Sequence, residues 1–282
     1  MKTKTKVLIA KMLSSAILAV RGGRDRSVEA TRRGIRYRLD LKEGIDLAIY
    51  LGVYENSTVR AYRKLIRRGD WVLDIGANIG AHTLQFADLV GDGGRVIAFE
   101  PTDFAFSKLM TNIGLNPSLS GRIVANQLML VDSDATPRDS LPKLYSSWPL
   151  TAEKELHPDH QGRQMTTTGA RSTTLDAYCR SSATPRVDVI KMDVDGYEID
   201  VLRGARSMMR QYHPVFIMEL CPYLLEERGF GVEEILEIFR SQDYGMRDIV
   251  NGALLPADPR GIHDLIPRGS SVNVIASKTA RS

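Results

Sequence analysis

The sequence predicts an α/β protein: a doubly wound, mostly parallel sheet with an antiparallel C-terminal strand, preceded by an N-terminal extension. Three observations carry that prediction. Short, nearly all-apolar runs alternate with helix-like stretches from Trp71 onward, a glycine-rich turn follows the first run, and an acid closes the second. Size and composition agree. The chain has 282 residues, 43% hydrophobic and 26% charged, which describes one to two globular domains and argues against disorder, collagen-like repeats or coiled coil.

In chain order, residues 1–33 form a basic, partly helical arm. Residues 1–38 hold eleven Lys/Arg against Asp25 and Glu29, a charge of +9, while 27 basic groups face 32 acidic ones in the remainder, giving −5. A phosphate-tracking surface would show in the folded body, so nucleic acid is not expected as a partner. Lys2, Lys4 and Lys6 precede the apolar run Val7–Val20, as in a signal peptide. Lys11 interrupts that run, however, and no small-x-small cleavage site follows. The run is also shorter than the roughly 20 residues that cross a bilayer. It is read as a short amphipathic helix that packs on the body or touches a membrane surface peripherally.

Residues 34–69 extend the core domain. Gly34–Leu41 alternates like a half-exposed strand, and Ile45–Leu51 and Ser57–Ile66 have helical spacing. Arg60, Arg63, Lys64, Arg67 and Arg68 are read as a solvated face. The domain proper, residues 70–282, opens with strand Trp71–Ile75, helix Ala81–Val90, strand Arg95–Glu100, helix Asp103–Leu115 and strand Arg122–Leu130. The rhythm breaks over 131–172, a polar, proline-bearing stretch read as a substrate lid. It resumes with strand Arg186–Met192, helix Tyr197–Met209, strand Pro214–Leu220 and helix Val232–Arg240. Tyr244–Val250 and Ser271–Ser277 are the last strands, separated by a Pro/Gly loop.

The chemistry concentrates at Asp74-Ile75-Gly76-Ala77-Asn78-Ile79-Gly80, where strand turns into helix. Glycines there let backbone approach a ligand and leave helix N-terminal amides free. Glu100 ends the next strand, placed to accept hydrogen bonds from ribose hydroxyls. Together they predict a nucleoside-type ligand. A dinucleotide fingerprint would read GxGxxG, whereas this loop reads GxxxG with an acid two residues ahead. That acid would repel a pyrophosphate and attract a sulfonium, so S-adenosyl-L-methionine is favoured over NAD.

The segments Asp74–Thr83 (DIGANIGAHT), Ala98–Pro101 (AFEP), Asn112 to Asn116, Thr174-Leu175-Asp176, Ile190–Ala205 (IKMDVDGYEIDVLRGA) and Met218-Glu219-Leu220 resemble the FkbM-type methyltransferases. So does the preamble Gly34–Glu55. Asp195 stands where that family more often has Glu, and the stretch Pro137–Arg171 matches nothing in it. The resemblance implies a class I, Rossmann-like S-adenosylmethionine fold and methyl transfer to a hydroxyl of a sugar, glycan or other small natural product. Carried over by position, Asp74, Gly76, Asn78, Gly80 and Thr83 would line the methionine side, Glu100 would hold the ribose and Glu55 would close over the cofactor. Gln127, at the end of the third strand, would approach the adenine.

Asp193 closes the fourth strand, near the transferring methyl, where it would orient the acceptor or take its proton. Glu219 ends the following strand and would face the same cleft. Asp195-Gly196 is read as a helix cap and Glu198 as a helix-surface residue. With no His-rich ligand set, no metal is assigned. Among the histidines, His82 is best placed as a base or acceptor contact. His157 and His160 fall in the lid, and His213 and His263 are structural. Cys179 and Cys221 form no CxxC pair, which predicts a reducing, cytoplasmic compartment. Two other readings stand beside methyl transfer: a nicotinamide oxidoreductase, and a non-catalytic cofactor-binding module docked by its basic arm.

Overall fold

The structure is a computed structural model and describes residues 3–22, 26–133, 141–142, 144–151, 156–157 and 161–279. Helix α1 (Thr3–Val20) leads into an antiparallel ribbon of β1 (Ser27–Arg32) and β2 (Ile35–Asp40), then α2 (Gly44–Leu51) and α3 (Asn56–Leu65). The alternating core begins with β3 (Trp71–Ile75), α4 (Thr83–Val90), β4 (Arg95–Phe99), α5 (Asp103–Gly114), α6 (Pro117–Ser120) and β5 (Ile123–Asn126). Four short strands follow: β6 (Leu128–Leu130), β7 (Leu144–Ser147), β8 (Arg163–Met165) and β9 (Arg171–Thr173). The chain continues through α7 (Leu175–Ser181), β10 (Val189–Met192), α8 (Glu198–Arg203), α9 (Arg206–Tyr212) and β11 (Val215–Leu220). It ends with α10 (Pro222–Glu227), α11 (Val232–Arg240), β12 (Tyr244–Asp248), α12 (Pro259–Leu265) and β13 (Val272–Lys278).

Seven strands form one sheet in the order β12-β13-β11-β10-β3-β4-β5. β13 runs antiparallel to both neighbours and every other pair is parallel. This is the expected doubly wound class I sheet with its antiparallel last strand. The strand order reverses between β3 and β10, so a crevice opens at their carboxyl ends.

The period-two alternation of strands divides two cores. Leu73, Ile75, Ile97, Phe99, Ile190 and Met192 pack on one face, beneath Ile199, Leu202, Met209 and Phe239. Val72, Val96, Ala98 and Val189 pack on the other, against Leu84, Phe86 and Leu109 of α4 and α5. The same alternation puts Asp74 and Lys191 on that second face, and the β3–β10 register pairs them. Two charged side chains thus stand in strands that are otherwise apolar throughout.

Four elements depart from the sequence reading. Arg122–Leu130 is not one strand: β5 stays in the sheet, while β6 leaves it after Gln127 and pairs with β9. Tyr197–Met209 is two helices, because Gly204 packs so tightly that a Cβ there would stand 2.2 Å from the Val131 carbonyl oxygen. β1 lies inside the basic arm. The late Pro/Gly loop contains α12, begun by Pro259 and capped by Asp258, which accepts from the Gly261 amide at 2.9 Å.

In the expected lid, β7 and β8 pair, and the Gly44 amide donates to the Trp148 carbonyl while the Leu150 amide donates to that of Lys42. The stretch thereby forms a wall beside α2. Within this stretch, residues 134–140, 143, 152–155 and 158–160, His160 among them, lie outside the described residues.

Candidate active site

The glycine-rich loop leaves β3 under tight constraint. Gly76 adopts φ +77°, and a Cβ there would lie 1.9 Å from the Asp193 carbonyl oxygen, so only glycine lets the loop cross the end of β10. The amides of Gly76 and Ala77 both donate to the Phe99 carbonyl at 3.0 Å. Farther along, Asn112 of α5 donates to the Ile79 carbonyl at 2.8 Å, and a Cβ on Gly80 would meet Leu109 at 2.7 Å. The loop is therefore held from both sides.

Carboxylates hold it too. Glu100, buried at the end of β4, accepts from the Asn78 amide at 2.9 Å through Oε2, and from the Thr102 amide and hydroxyl through Oε1. Burial raises its pKa despite those donors. Asp74 is fully buried. Its Oδ2 accepts from the Thr83 hydroxyl at 2.5 Å, while Oδ1 has no hydrogen-bond partner among the described residues.

Lys191 compensates this negative floor. Its ammonium donates to the Gly76 carbonyl at 3.0 Å and lies 3.6 Å from Asp193 Oδ2 and 3.8 Å from Asp74 Oδ1. Burial alone would lower the lysine pKa, but Asp193, Asp74 and Glu55 outweigh it and hold the value above its usual range. Sequence reasoning missed this residue. The signal was there: one lysine in the four-residue strand Val189–Met192, every position of which is buried.

Asp193 and Glu219, expected at neighbouring strand ends, both line the crevice, and Asp195 lies beside them. Among the described residues these three bring one oxygen each within 4.8 Å of one another. Burial and the Asp193 charge push Glu219 up to about 8, and the Ser271 hydroxyl that donates to it only partly offsets this. Burial and the charges of Asp193, Glu219 and Glu198 push Asp195 well above its ordinary value. Two expectations fail here. Tyr197, not Asp195, occupies the N-cap of α8, and Asp195 instead sits at φ +49° on the crevice wall. Glu198 is 3% exposed rather than on the surface, accepting from the Gly196 amide at 3.3 Å, and burial lifts it to about 7.

In the same cleft, His82 Nε2 lies 3.3 Å from Glu55 Oε2, and Nδ1 lies 3.5 Å from the Tyr62 hydroxyl. For Glu55, burial acts upward but the imidazole and Lys191 prevail, drawing its carboxyl down to about 2. Tyr54, also missed from the sequence, stacks obliquely on the His82 ring at 5.3 Å and lines the crevice.

The crevice is a cleft of about 740 Å³, within the range of ligand sites. Glu55, Gly76, Asn78, His82, Glu100, Asp193 and Glu219 line it. Asp74, Gly80 and Thr83 stand behind the loop and support it. Gln127 is turned away: its amide donates to Asp103 at 2.6 Å, because the chain leaves the sheet at this residue. His157 packs outside the loop site, with Nε2 2.9 Å from Glu227.

The donor set fits a cationic nucleoside cofactor. The ammonium of Lys191 is already shared among carboxylates, and no further Lys or Arg lines the cleft among the described residues, so a pyrophosphate would meet Glu55 and Asp193 unneutralised. A sulfonium or an amino group finds those same carboxylates favourable.

Residues 74–246 match the family described as methyltransferase FkbM domain. The hexuronic acid methyltransferase AglP of Haloferax volcanii is 24% identical over 170 residues, covering 58% of this chain and 61% of its own. This chain thus spans less than two thirds of that relative. The methyltransferase sdnD of Sordaria araneosa is 26% identical over 193 residues, covering 57% of this chain and 74% of its own. Among solved structures, the methyltransferase FkbM of Methylobacillus flagellatus aligns with a TM-score of 0.43 at 14% identity, covering 76% of this chain and 49% of its own. With more than half of its length matched, the chain belongs to the FkbM methyltransferase family, whose cofactor is S-adenosylmethionine.

Proposed function

We propose that this protein transfers a methyl group from S-adenosylmethionine to a hydroxyl of a sugar or other small natural product. Gly76 and Asn78 of the loop, with Asp74 behind it, would hold the methionine portion, and Glu100 the ribose. When bound, the cofactor supplies an electrophilic methyl on a sulfonium.

The observation that carries the reading is the acidic wall of Asp193, Asp195 and Glu219, which lines the same cleft as His82. A hydroxyl is a weak nucleophile, and a positioned base that takes its proton contributes roughly 10²–10⁴ in rate. Asp193 Oδ, beside the Lys191 ammonium at 3.6 Å, would accept that proton, with His82 as the second acceptor. Glu219 keeps its own proton up to about pH 8 and can donate a hydrogen bond to the acceptor. The wall also selects the acceptor's charge. A relative is named for hexuronic acid, which offers both hydroxyls and a carboxylate. A carboxylate brought against Asp193 and Glu55 would be repelled, so the neutral hydroxyl is the favoured nucleophile. A cytoplasmic location fits the two buried, unpaired thiols of Cys179 and Cys221.

The test is methyl transfer from radiolabelled S-adenosylmethionine to a panel of glycosides, run with wild type and Asp193→Asn. The proposal expects product with wild type and a turnover loss on the order of 10²–10⁴ in the variant, with S-adenosylhomocysteine affinity retained. Undiminished turnover in Asp193→Asn would remove Asp193 as the base.

A further inference from the structure

Beside the glycine loop and the acids, the cleft is lined by apolar side chains, some of them exposed. Ile9 and Leu13 of α1, with Leu51 and Val53 at the end of α2, line the cleft and are nevertheless exposed; Met129 and Trp148 line its inner wall. Next to that mouth, α1 presents an outer face with no partner among the described residues. At 100° per residue Leu8, Met12, Ala16 and Ala19 share one side, and all four are exposed. The opposite side packs: Ala10, Ile17 and Leu18 lie against Leu41, Leu47 and Leu150, and the Ser14 hydroxyl donates to the Leu41 carbonyl at 2.7 Å.

Leu8 is 60% exposed, Met12 67% and Val20 90%. Of the twelve large hydrophobic side chains exposed among the described residues, seven belong to α1 or to Leu51 and Val53, so the patch is concentrated at this one mouth. A helix with one apolar side packed and a second apolar side left exposed needs a second apolar medium. Charge identifies the medium. Residues 1–24 hold six Lys/Arg and no acid, whereas the rest of the molecule is net negative. An apolar face set in a purely cationic segment matches an anionic bilayer surface, with the helix lying in the interface plane. No described helix is long and apolar enough to cross a membrane.

We propose that α1 docks the mouth of the cleft onto an anionic bilayer, from which the site draws an amphiphilic acceptor. The hydroxylated head would reach the acidic wall at Asp193, and the aliphatic chain would lie along Ile9, Leu13, Leu51, Val53 and Trp148. This rests on the methyl-transfer reading for the role of the head group.

The test is sedimentation of the full chain with phosphatidylcholine vesicles, with and without phosphatidylglycerol, in wild type and in the double variant Leu8→Asp/Met12→Asp, neither residue of which lines the cleft. The proposal expects binding to the anionic vesicles only, weakened by salt, and falling at least about tenfold in the double variant. Equal binding to both vesicle types, or binding to neither, overturns it, as does a double variant that binds like wild type. The same preparations are titrated with S-adenosylhomocysteine. Retained affinity without vesicle binding defeats the docking alone, whereas lost affinity in wild type defeats the methyl-transfer reading itself. For the chain-binding wall, Trp148 fluorescence should respond to octyl glucoside below its micellar concentration and not to methyl glucoside. An equal response to both overturns the aliphatic groove.

Discussion

Replacing Lys191 with Met isolates the charge balance at the loop, because the two side chains have similar bulk. The ammonium lies 3.6 Å from Asp193 Oδ2, and at an effective dielectric of about 20 a unit pair at that distance interacts by about 4–5 kcal/mol. Desolvation offsets much of that in the intact pair. Removing one partner, however, leaves buried carboxylates uncompensated, at a cost of about 3–5 kcal/mol. That is a large fraction of the roughly 5–15 kcal/mol that stabilises a typical domain.

The pH dependence gives the sign. The folded-state pKa of Lys191 is raised, so its own contribution is fully present below the unfolded value and fades only at strongly alkaline pH. Between pH 5 and 8 the lysine itself does not titrate. In the variant, Glu100 and Asp195, whose raised carboxyl pKa values the Lys191 charge holds down in wild type, would keep their protons to higher pH, so the deficit should be largest near pH 8 and shrink toward pH 5. The assay is urea unfolding of wild type and Lys191→Met at both pH values. A deficit below about 1 kcal/mol at pH 8, or one of equal size at both, would refute the account of Lys191 as the compensating charge.

Other predictions follow from the same geometry. Gly76→Ala places a Cβ 1.9 Å from the Asp193 carbonyl oxygen in a left-handed backbone that alone costs about 1–2 kcal/mol, so both thermal stability and S-adenosylhomocysteine affinity should fall, the latter at least tenfold. Calorimetry checks both, and an unchanged affinity would show that the loop does not form the cofactor floor. Glu219 has a raised pKa, so its contribution to stability is intact below pH 4.5 and is lost as pH rises through about 8. Glu219→Gln should therefore melt like wild type below pH 4.5 and above it at pH 8. A melting difference that does not vary with pH would exclude Glu219 as the titrating group.

The nucleotide half of the site was legible because its signals are local. An apolar run ending in Asp74, then Gly76 and Gly80, marks a strand-to-helix turn without reference to the rest of the chain. Asp193 and Glu219 could likewise be placed, since parallel strands deliver their last residues to one edge. What escaped depends on partners distant in sequence. Gln127 sits where the chain changes from one ladder to another, and nothing in Arg122–Leu130 distinguishes one strand from two. Glu198 has the pattern of a surface acid, and is buried at the start of α8 where its carboxylate turns back to the Gly196 amide. Lys191 could have been found, since a lysine in a fully buried strand requires buried anions nearby. The outer face of α1 was legible as apolar and basic, but its position at the mouth of the cleft is a property of the packed fold.

The central claim is that the acid-lined loop takes a sulfonium nucleoside and not a dinucleotide. Calorimetric titration with S-adenosylhomocysteine, with NAD as the control, tests it most directly. The account predicts saturable binding of the first, weakened at least tenfold in Gly76→Ala, and none of the second. Binding of NAD, or the absence of binding by S-adenosylhomocysteine, would contradict it.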